Sequence, residues 1–115
     1  MFDHEKLQVY GKALNFAAKA AAWTGTWDKK HALVDHLSRA TESILLNLAE
    51  AARQRGTPAR LRIVDYHRFL QIAQSAAVKG AVFLDLGVER AFLVETEATA
   101  GKEMLRSISA MVAGF

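Results

Sequence analysis

The sequence predicts an all-α protein folded as an antiparallel, up-down-up-down four-helix bundle. Three observations lead to this fold class. Apolar residues recur at three- and four-residue steps over long stretches. Helix breakers are rare, with seven Gly and one Pro among 115 residues. The breaks divide the chain into four long segments with short connections, so neighbouring helices are expected to run antiparallel. Residues 1–115 are expected to form a single domain.

The first helix is expected from about Asp3 to Trp23. Asp3 is a good N-cap, because its side chain can accept a hydrogen bond from a free backbone N–H group. Gly25 follows at the position where glycine commonly ends a helix. Helical spacing predicts an apolar face formed by Leu7, Tyr10, Leu14, Ala17, Ala18 and Ala21.

The second helix is expected from about Asp28 to Gln54. Leu45 and Leu46 make its apolar arc wider than a contact with one neighbouring helix requires. A helix with such an arc buries more than one side, so contacts with both the bundle core and a second subunit are expected. The predicted core face consists of Leu33, Leu37, Ala40, Ile44, Leu48 and Ala51.

The third helix is expected from about Pro58 to Leu86, after the sharpest break in the chain, Gly56-Thr57-Pro58. Gly suits a helix end, Thr an N-cap and Pro the first helical position. Gly80 lies among small residues, which predicts a close approach of another helix. The predicted core face consists of Leu61, Val64, Phe69, Ile72, Ala76, Phe83 and Leu84.

The fourth helix is expected to follow Gly87, from about Val88 or Glu89 to Val112. Its middle, residues 95–102, is polar and contains a glycine. The pattern therefore defines this helix less sharply than the other three. The predicted core anchors are Phe92, Leu105, Ile108 and Met111.

Composition excludes several classes of protein. The absence of Cys rules out disulfides and Cys-based zinc sites. No apolar run reaches the roughly 18–20 residues that a membrane span needs. The first residues lack the basic start and apolar stretch of a secretory signal. We therefore expect a cytoplasmic protein without a membrane partner.

Positive charge is concentrated in one short window. The net charge of +3 includes +4 from residues 53–68, where five Arg accompany one Asp. Residues 1–52 sum to zero and residues 69–115 to −1. The whole excess is therefore contributed by sixteen residues, and all of it is Arg.

Four of these arginines are predicted to meet at one end of the bundle. Arg53 and Arg55 close the second helix, where cations suit the helix dipole. Arg60 and Arg62 open the third helix, where cations are disfavoured, so local helix stability does not explain them. Arginine beside a helix N-terminus suits phosphate. The sequence predicts that these residues bind an RNA or DNA backbone; a merely solvated face is the other interpretation.

A polar stripe follows the apolar second helix. Arg39, Ser43, Asn47 and Glu50 are spaced to lie on one face. Buried charges must be paired, so Arg39, Glu50 and Arg68 are expected to satisfy one another across helices two and three. The stripe is interpreted as a structural network or a subunit contact, with ligand binding as the alternative.

No motif predicts catalysis, a metal or a cofactor. Nucleophile elbows and phosphate-binding loops are absent from the sequence. His31 and Asp35 are four residues apart, but two ligands do not make a site, and the Glu-x-x-His motif of di-iron bundles does not occur. The pair is interpreted as a surface contact. We expect a protein that is not an enzyme.

Three segments resemble a known family. Residues 33–50, LVDHLSRATESILLNLAE, are similar to the signature of four-helix bundle proteins first noticed in intervening sequences of bacterial large-subunit rRNA genes. Residues 66–73 and 2–10 are similar to two further elements of that family. The chain departs from the pattern at Ala51, where Gly is usual, and at Ser75, Ala76 and Lys79, where Gly-Ser and a later Glu are usual.

The resemblance implies a bundle that assembles into a homo-oligomeric ring, commonly a pentamer. Accessory proteins of diversity-generating retroelements look like relatives in fold, and they are basic rings that bind nucleic acid and a reverse transcriptase. By analogy we expect a nucleic-acid-binding scaffold. A protein–protein interaction module without nucleic-acid binding is the alternative, and the wide apolar arc of helix two supports it.

Overall fold

The computed structural model describes residues 4–54 and 59–115, and it describes side chains for residues 8–54 and 65–115. These ranges form four helices: α1 (His4–Thr24), α2 (Ala32–Arg53), α3 (Ala59–Glu89) and α4 (Glu95–Ala113). No strand occurs in the described ranges. The predicted all-α fold class is confirmed.

Each helix packs against two others, which gives a closed four-membered arrangement. Helix α1 packs on α2 and α4, and α3 packs on the same two helices. Helices α1 and α3 are therefore diagonal. Lys102 Nζ donates to Asp85 Oδ1 at 2.7 Å, and Gln74 Nε2 donates to the Ser109 carbonyl at 3.2 Å. Residue numbers rise along α4 as they fall along α3, as in an antiparallel pair.

Helix α1 turns a different face to the core from the one expected. Leu14 is 51% exposed, and Ala18 and Ala21 are exposed as well. Phe16 is fully buried and meets Trp23 edge-on, with ring centroids 6.2 Å apart. The core-facing set is Val9, Ala13, Phe16 and Ala20. The predicted face and the observed core-facing set are both apolar, so helical spacing alone could not choose between them. The large ring of Phe16 decides the choice, because it packs in the core.

Helix α2 begins four residues later than expected and keeps its predicted core face. Asp28 Oδ1 accepts a hydrogen bond from the Lys30 N–H group, which forms a turn. His31 is the N-cap, and its Nδ1 accepts from the Leu33 N–H group at 3.1 Å. All six predicted core residues of α2 are buried: Leu33, Leu37, Ala40, Ile44, Leu48 and Ala51.

Helix α3 is longer than expected, and α4 starts later. Helix α3 continues through Gly87 to Glu89, so α4 begins only at Glu95. Phe92 is therefore a loop residue, which stacks on Trp27 with ring centroids 5.5 Å apart. Among the predicted core residues of α3, Ala76 and Leu84 are buried, and Phe69 and Phe83 are half-buried. Ile72 is exposed. The side chains of Leu61 and Val64 lie outside those that the structure describes.

Two glycines allow α3 and α4 to approach closely. A Cβ on Gly80 would lie 3.1 Å from Leu105 Cδ1, which agrees with the close approach predicted there. A Cβ on Gly101 would lie 2.7 Å from Leu84 Cδ1 and 2.8 Å from the Trp23 ring. The glycine in the polar segment of α4 therefore marks a packing contact. Within the described ranges, no helix combines the length and hydropathy needed to cross a bilayer.

The N-cap of α4 offers a stabilising substitution. Val94 occupies that position with extended backbone, makes no side-chain capping bond and is 59% exposed. Because Asp can accept a hydrogen bond from a free N–H group of the first turn, Val94→Asp is expected to raise the free energy of unfolding by about 1 kcal/mol. Urea denaturation followed by circular dichroism measures this, and Val94→Ala, which cannot cap, should give no such gain.

Candidate nucleic-acid interface

The predicted basic corner lies where α2 ends and α3 begins. Helix α2 ends at Arg53 and α3 starts at Ala59, so the short connection keeps both helix ends at the same end of the bundle. Arg60 and Arg62 fall in the first turns of α3, but their side chains lie outside the described residues. Arg55 lies wholly outside them. Of the four predicted arginines, only Arg53 has a described side chain.

Helix α3 extends past the end of α2 at this corner. The His36 ring of α2 stacks on the Phe83 ring of α3, with centroids 5.3 Å apart and planes 17° apart. Counting the same number of residues forward from His36 along α2 and backward from Phe83 along α3 reaches Arg53 and Tyr66. These two residues therefore lie at the same height. Residues 59–65 therefore continue for about 10 Å beyond Arg53, at 1.5 Å per helical residue. Arg60 and Arg62 belong to this extension.

Arg53 is exposed and already carries a local partner. Its Nη2 and Nε donate to Glu50 Oε2 at 2.8 and 3.1 Å. This hydrogen bonding, and then the attraction of the Glu50 charge, raises the pKa of the Arg53 guanidinium above its ordinary value. Because the pair is at the surface, it is worth little to stability. It does offset part of the positive charge that Arg53 brings to the corner.

Arg68 adds an exposed cation to the same part of α3. Its guanidinium carbon lies 5.0 Å from the centroid of the Phe69 ring, a cation–π contact. Among the described residues no carboxylate forms an ion pair with it. The neighbouring His67 is also exposed. Unlike Arg53, Arg68 keeps its charge available to a partner.

The pairing of Arg39, Glu50 and Arg68 predicted across helices two and three does not form. Arg39 pairs with Asp35 on its own helix, with Nε 2.9 Å from Oδ2, and Arg68 lies on Phe69. Glu50 pairs with Arg53, again within α2. The charged groups of the stripe reach solvent, with the Arg39 and Glu50 side chains 76% and 41% exposed, so no buried charge forces a partner on another helix. Each charged member of α2 instead takes the acid or base one turn away.

The amide of the stripe is also satisfied within α2. Asn47 Nδ2 donates to the Ser43 carbonyl at 2.7 Å and to Ser43 Oγ at 3.2 Å. Both residues are half-buried. This is the back-bonding that polar side chains make to their own helix, and it leaves no catalytic pairing.

An open groove separates α2 from α3 beside the stripe. Its volume is about 630 Å³. Among the described residues that line it, Arg39 and Lys79 are the charged ones and none is an acid. Ile72, Ala76 and Phe83 give it an apolar floor. The groove is thus a cationic, partly apolar surface rather than an enclosed cavity.

The two residues considered as metal ligands have separate structural roles. His31 caps α2 through Nδ1, whereas Asp35 binds Arg39. The predicted His31–Asp35 surface pair therefore does not form. Across the described part of the chain, no group of three or more His, Asp or Glu side chains is arranged to hold a metal ion.

Sequence reasoning placed Leu46 in the widened apolar arc of α2, but it missed two other surface features, the exposed side chains of Val78 and Lys79. Leu46 of α2 and Val78 of α3 are 64% and 62% exposed, and Lys79 is an exposed cation without a described ion pair. A signal was present for both missed features. Val78 lies outside the core spacing of α3, and Lys79 has no acid three or four residues away on either side.

Comparison with known proteins identifies relatives over nearly the whole chain. The family model described as 23S rRNA-intervening sequence protein matches residues 5–114. A search of curated proteins gives no match.

The chain is also similar to a solved structure. That structure is a protein of unknown function from the S23 ribosomal protein family of Bacteroides thetaiotaomicron VPI-5482. The TM-score is 0.82 at 17% sequence identity, and the match covers 96% of each chain. At this identity the likeness shows a shared fold.

Proposed function

The chain belongs to the 23S rRNA-intervening sequence protein family, and on that premise we propose that it is a non-enzymatic, homo-oligomeric, ring-forming scaffold of the cytoplasm. In this proposal it binds nucleic acid at the corner between α2 and α3, through Arg53, Arg55, Arg60 and Arg62. The observation that carries the proposal is the confinement of the whole charge excess to residues 53–68.

The position of these arginines suits a phosphate backbone. Arg60 and Arg62 belong to the part of α3 that extends past α2, beside a helix N-terminus whose dipole favours anions. The guanidinium group can bind two phosphate oxygens at once. Arg68 extends the same basic surface along α3.

Assembly strengthens a weak contact. One corner offers few phosphate contacts, but a ring repeats it once per subunit. Linked contacts bind a long backbone more tightly than any single one, because each later contact forms within an already bound complex. A pentamer, as the family resemblance implies, would present five corners.

Titration of RNA and duplex DNA with the full chain at several salt concentrations tests this function. The affinity is expected to fall steeply as salt rises, since each phosphate contact releases counterions. One corner with four contacts predicts a slope of about −3.6 in log K against log [salt] for a duplex, and each further corner that binds makes the slope steeper. Absence of binding at low salt would refute the proposal.

A protein–protein interaction module is the second candidate function, with a reverse transcriptase or another protein as the partner. The exposed Leu46 in the wide apolar arc of α2 favours it, and so do Val78 and Val82, which are exposed one turn apart on α3, since adjacent exposed apolar side chains mark contact surfaces. Purification of the tagged protein distinguishes the two candidate functions. One stoichiometric protein partner with no nucleic acid retained favours the second candidate.

A further inference from the structure

Two outward surfaces of the bundle complement each other. One is the α2 ridge, defined by Glu42 and Leu46; the other is the α3 face, defined by Val78, Lys79 and Val82. We infer that the α2 ridge of one copy packs against the α3 face of the next copy in the ring. This inference rests on the homo-oligomeric scaffold proposed above and names the surfaces that build it.

The α3 face is apolar without serving the core. Val78 and Val82, one turn apart, are 62% and 49% exposed. Val78 also borders a shallow, almost wholly apolar groove of about 340 Å³ between α3 and α4, which Leu105 helps to line. Side chains of this kind gain free energy when another surface removes them from water.

The α2 ridge supplies matching groups. Glu42 and Leu46 are four residues apart and hence neighbours on one side of α2. Leu46 is the most exposed of the large apolar side chains described. Glu42 is exposed and has no ion pair among the described residues, and the same holds for Lys79. A contact between copies would pair these opposite charges and cover the apolar groups beside them.

The register of the helices brings the two charged groups, Glu42 and Lys79, to nearly the same height. The stacked rings of His36 and Phe83 fix the register of α2 against α3. Six residues further along α2, Glu42 lies level with Ala77, two residues from Lys79. In a ring whose axis runs along the helices, groups at equal height meet. Glu42 of one copy therefore reaches Lys79 of the next.

The positions of the two helices also favour closure. Helices α2 and α3 occupy adjacent corners of the bundle, so their outward directions differ by about 90° in a square cross-section. A ring of four needs about 90° between its two contact surfaces and a ring of five about 108°, whereas opposite surfaces give open fibres. The exposed Leu14 lies on α1, which is diagonal to α3. A contact between α1 of one copy and α3 of the next would therefore not close into a ring.

The long side of the bundle is large enough for such a contact. The molecule measures 48 × 23 × 18 Å, so one long side has an area on the order of 1,000 Å². A standard specific interface buries about 800 Å² on each partner. Side-by-side packing can thus reach a standard interface without rearrangement.

Light scattering of the full chain and its variants tests the surfaces. Leu46→Asp and Val78→Asp are each expected to reduce the oligomer to the 12.7 kDa monomer. The control Leu14→Asp, an equally drastic change at an exposed site on α1, is expected to keep the wild-type mass. Because all three residues are at least half exposed, unchanged circular dichroism should show that each variant folds.

Mixing the two monomeric variants gives a sharper result. Each retains the surface that the other lacks, so an equimolar mixture should form a 1:1 dimer of twice 12.7 kDa and stop there. A two-fold contact between α3 helices would instead leave Leu46→Asp assembled and the mixture without new dimers. That result would overturn the inferred pairing.

Exchanging the charges tests the pair directly. Lys79→Glu and Glu42→Lys are each expected to weaken assembly several-fold, and the double variant should regain most of it. A double variant weaker than both single variants would contradict the pair. If the wild type assembles and every variant above assembles equally well, the inferred surfaces are wrong, but the proposed homo-oligomeric scaffold is unaffected. A monomeric wild type would overturn both the inferred surfaces and the proposed scaffold.

Discussion

Phe16→Ala is expected to lower the free energy of unfolding by about 3–5 kcal/mol, the usual cost of removing a fully buried aromatic ring. Phe16 is 1% exposed and meets Trp23 at the centre of the bundle. Loss of its ring leaves a cavity that the surrounding helices can fill only in part. Such a loss is a large fraction of the stability of a small domain.

Leu14→Ala, two residues earlier on the same helix, is the matched control. Leu14 is half exposed, so its truncation should change the free energy of unfolding by no more than about 0.5 kcal/mol. Urea denaturation at equal protein concentration measures both variants. If Leu14→Ala is the more damaging change, then α1 turns to the core the face that its spacing suggested, and the described packing is wrong.

The second large effect is expected from replacing Arg53, Arg55, Arg60 and Arg62 together by Ala. Affinity for RNA at low salt should fall by about 100-fold or more, and the salt dependence should become much weaker, because most of the contacts that release counterions are gone. The oligomer should persist, since none of these residues lies on the α2 ridge or the α3 face. Fluorescence anisotropy with a labelled RNA measures the loss.

The control for this variant removes the same charge elsewhere. Lys12, Lys19, Lys29 and Lys30 are exposed on α1 and in the turn that follows it. Their replacement by Ala changes the net charge from +3 to −1, as does the arginine variant. Binding should weaken only modestly. Equal losses from both variants would mean that overall charge, and not the corner, attracts the nucleic acid.

The fold could be predicted from sequence because its signals are local. The spacing of apolar residues in α2 gave six core positions that are all buried. Gly80 correctly indicated a close helix approach. Spacing failed on α1, where two apolar stripes compete and only tertiary packing around Phe16 decides. It failed again at Gly87, because a helix can continue through a glycine when packing holds it.

The candidate site could be predicted only in outline. Charge counting located the corner, since helix order alone brings the ends of α2 and α3 together. The ion-pair partners of individual side chains could not be predicted in the same way. Arg39 pairs with Asp35 and Glu50 with Arg53, because these groups are one turn apart at the surface, where no buried charge demands a distant partner. The α2 ridge and the α3 face depend on which apolar residues stay exposed.

The most direct test of the scaffold proposal is sedimentation of the full chain with a fluorescent RNA at low and high salt. The proposal predicts one species at low salt that contains RNA and several copies of the 12.7 kDa chain. High salt should release the RNA and leave the protein ring intact. A monomer that leaves the RNA free at low salt would contradict it.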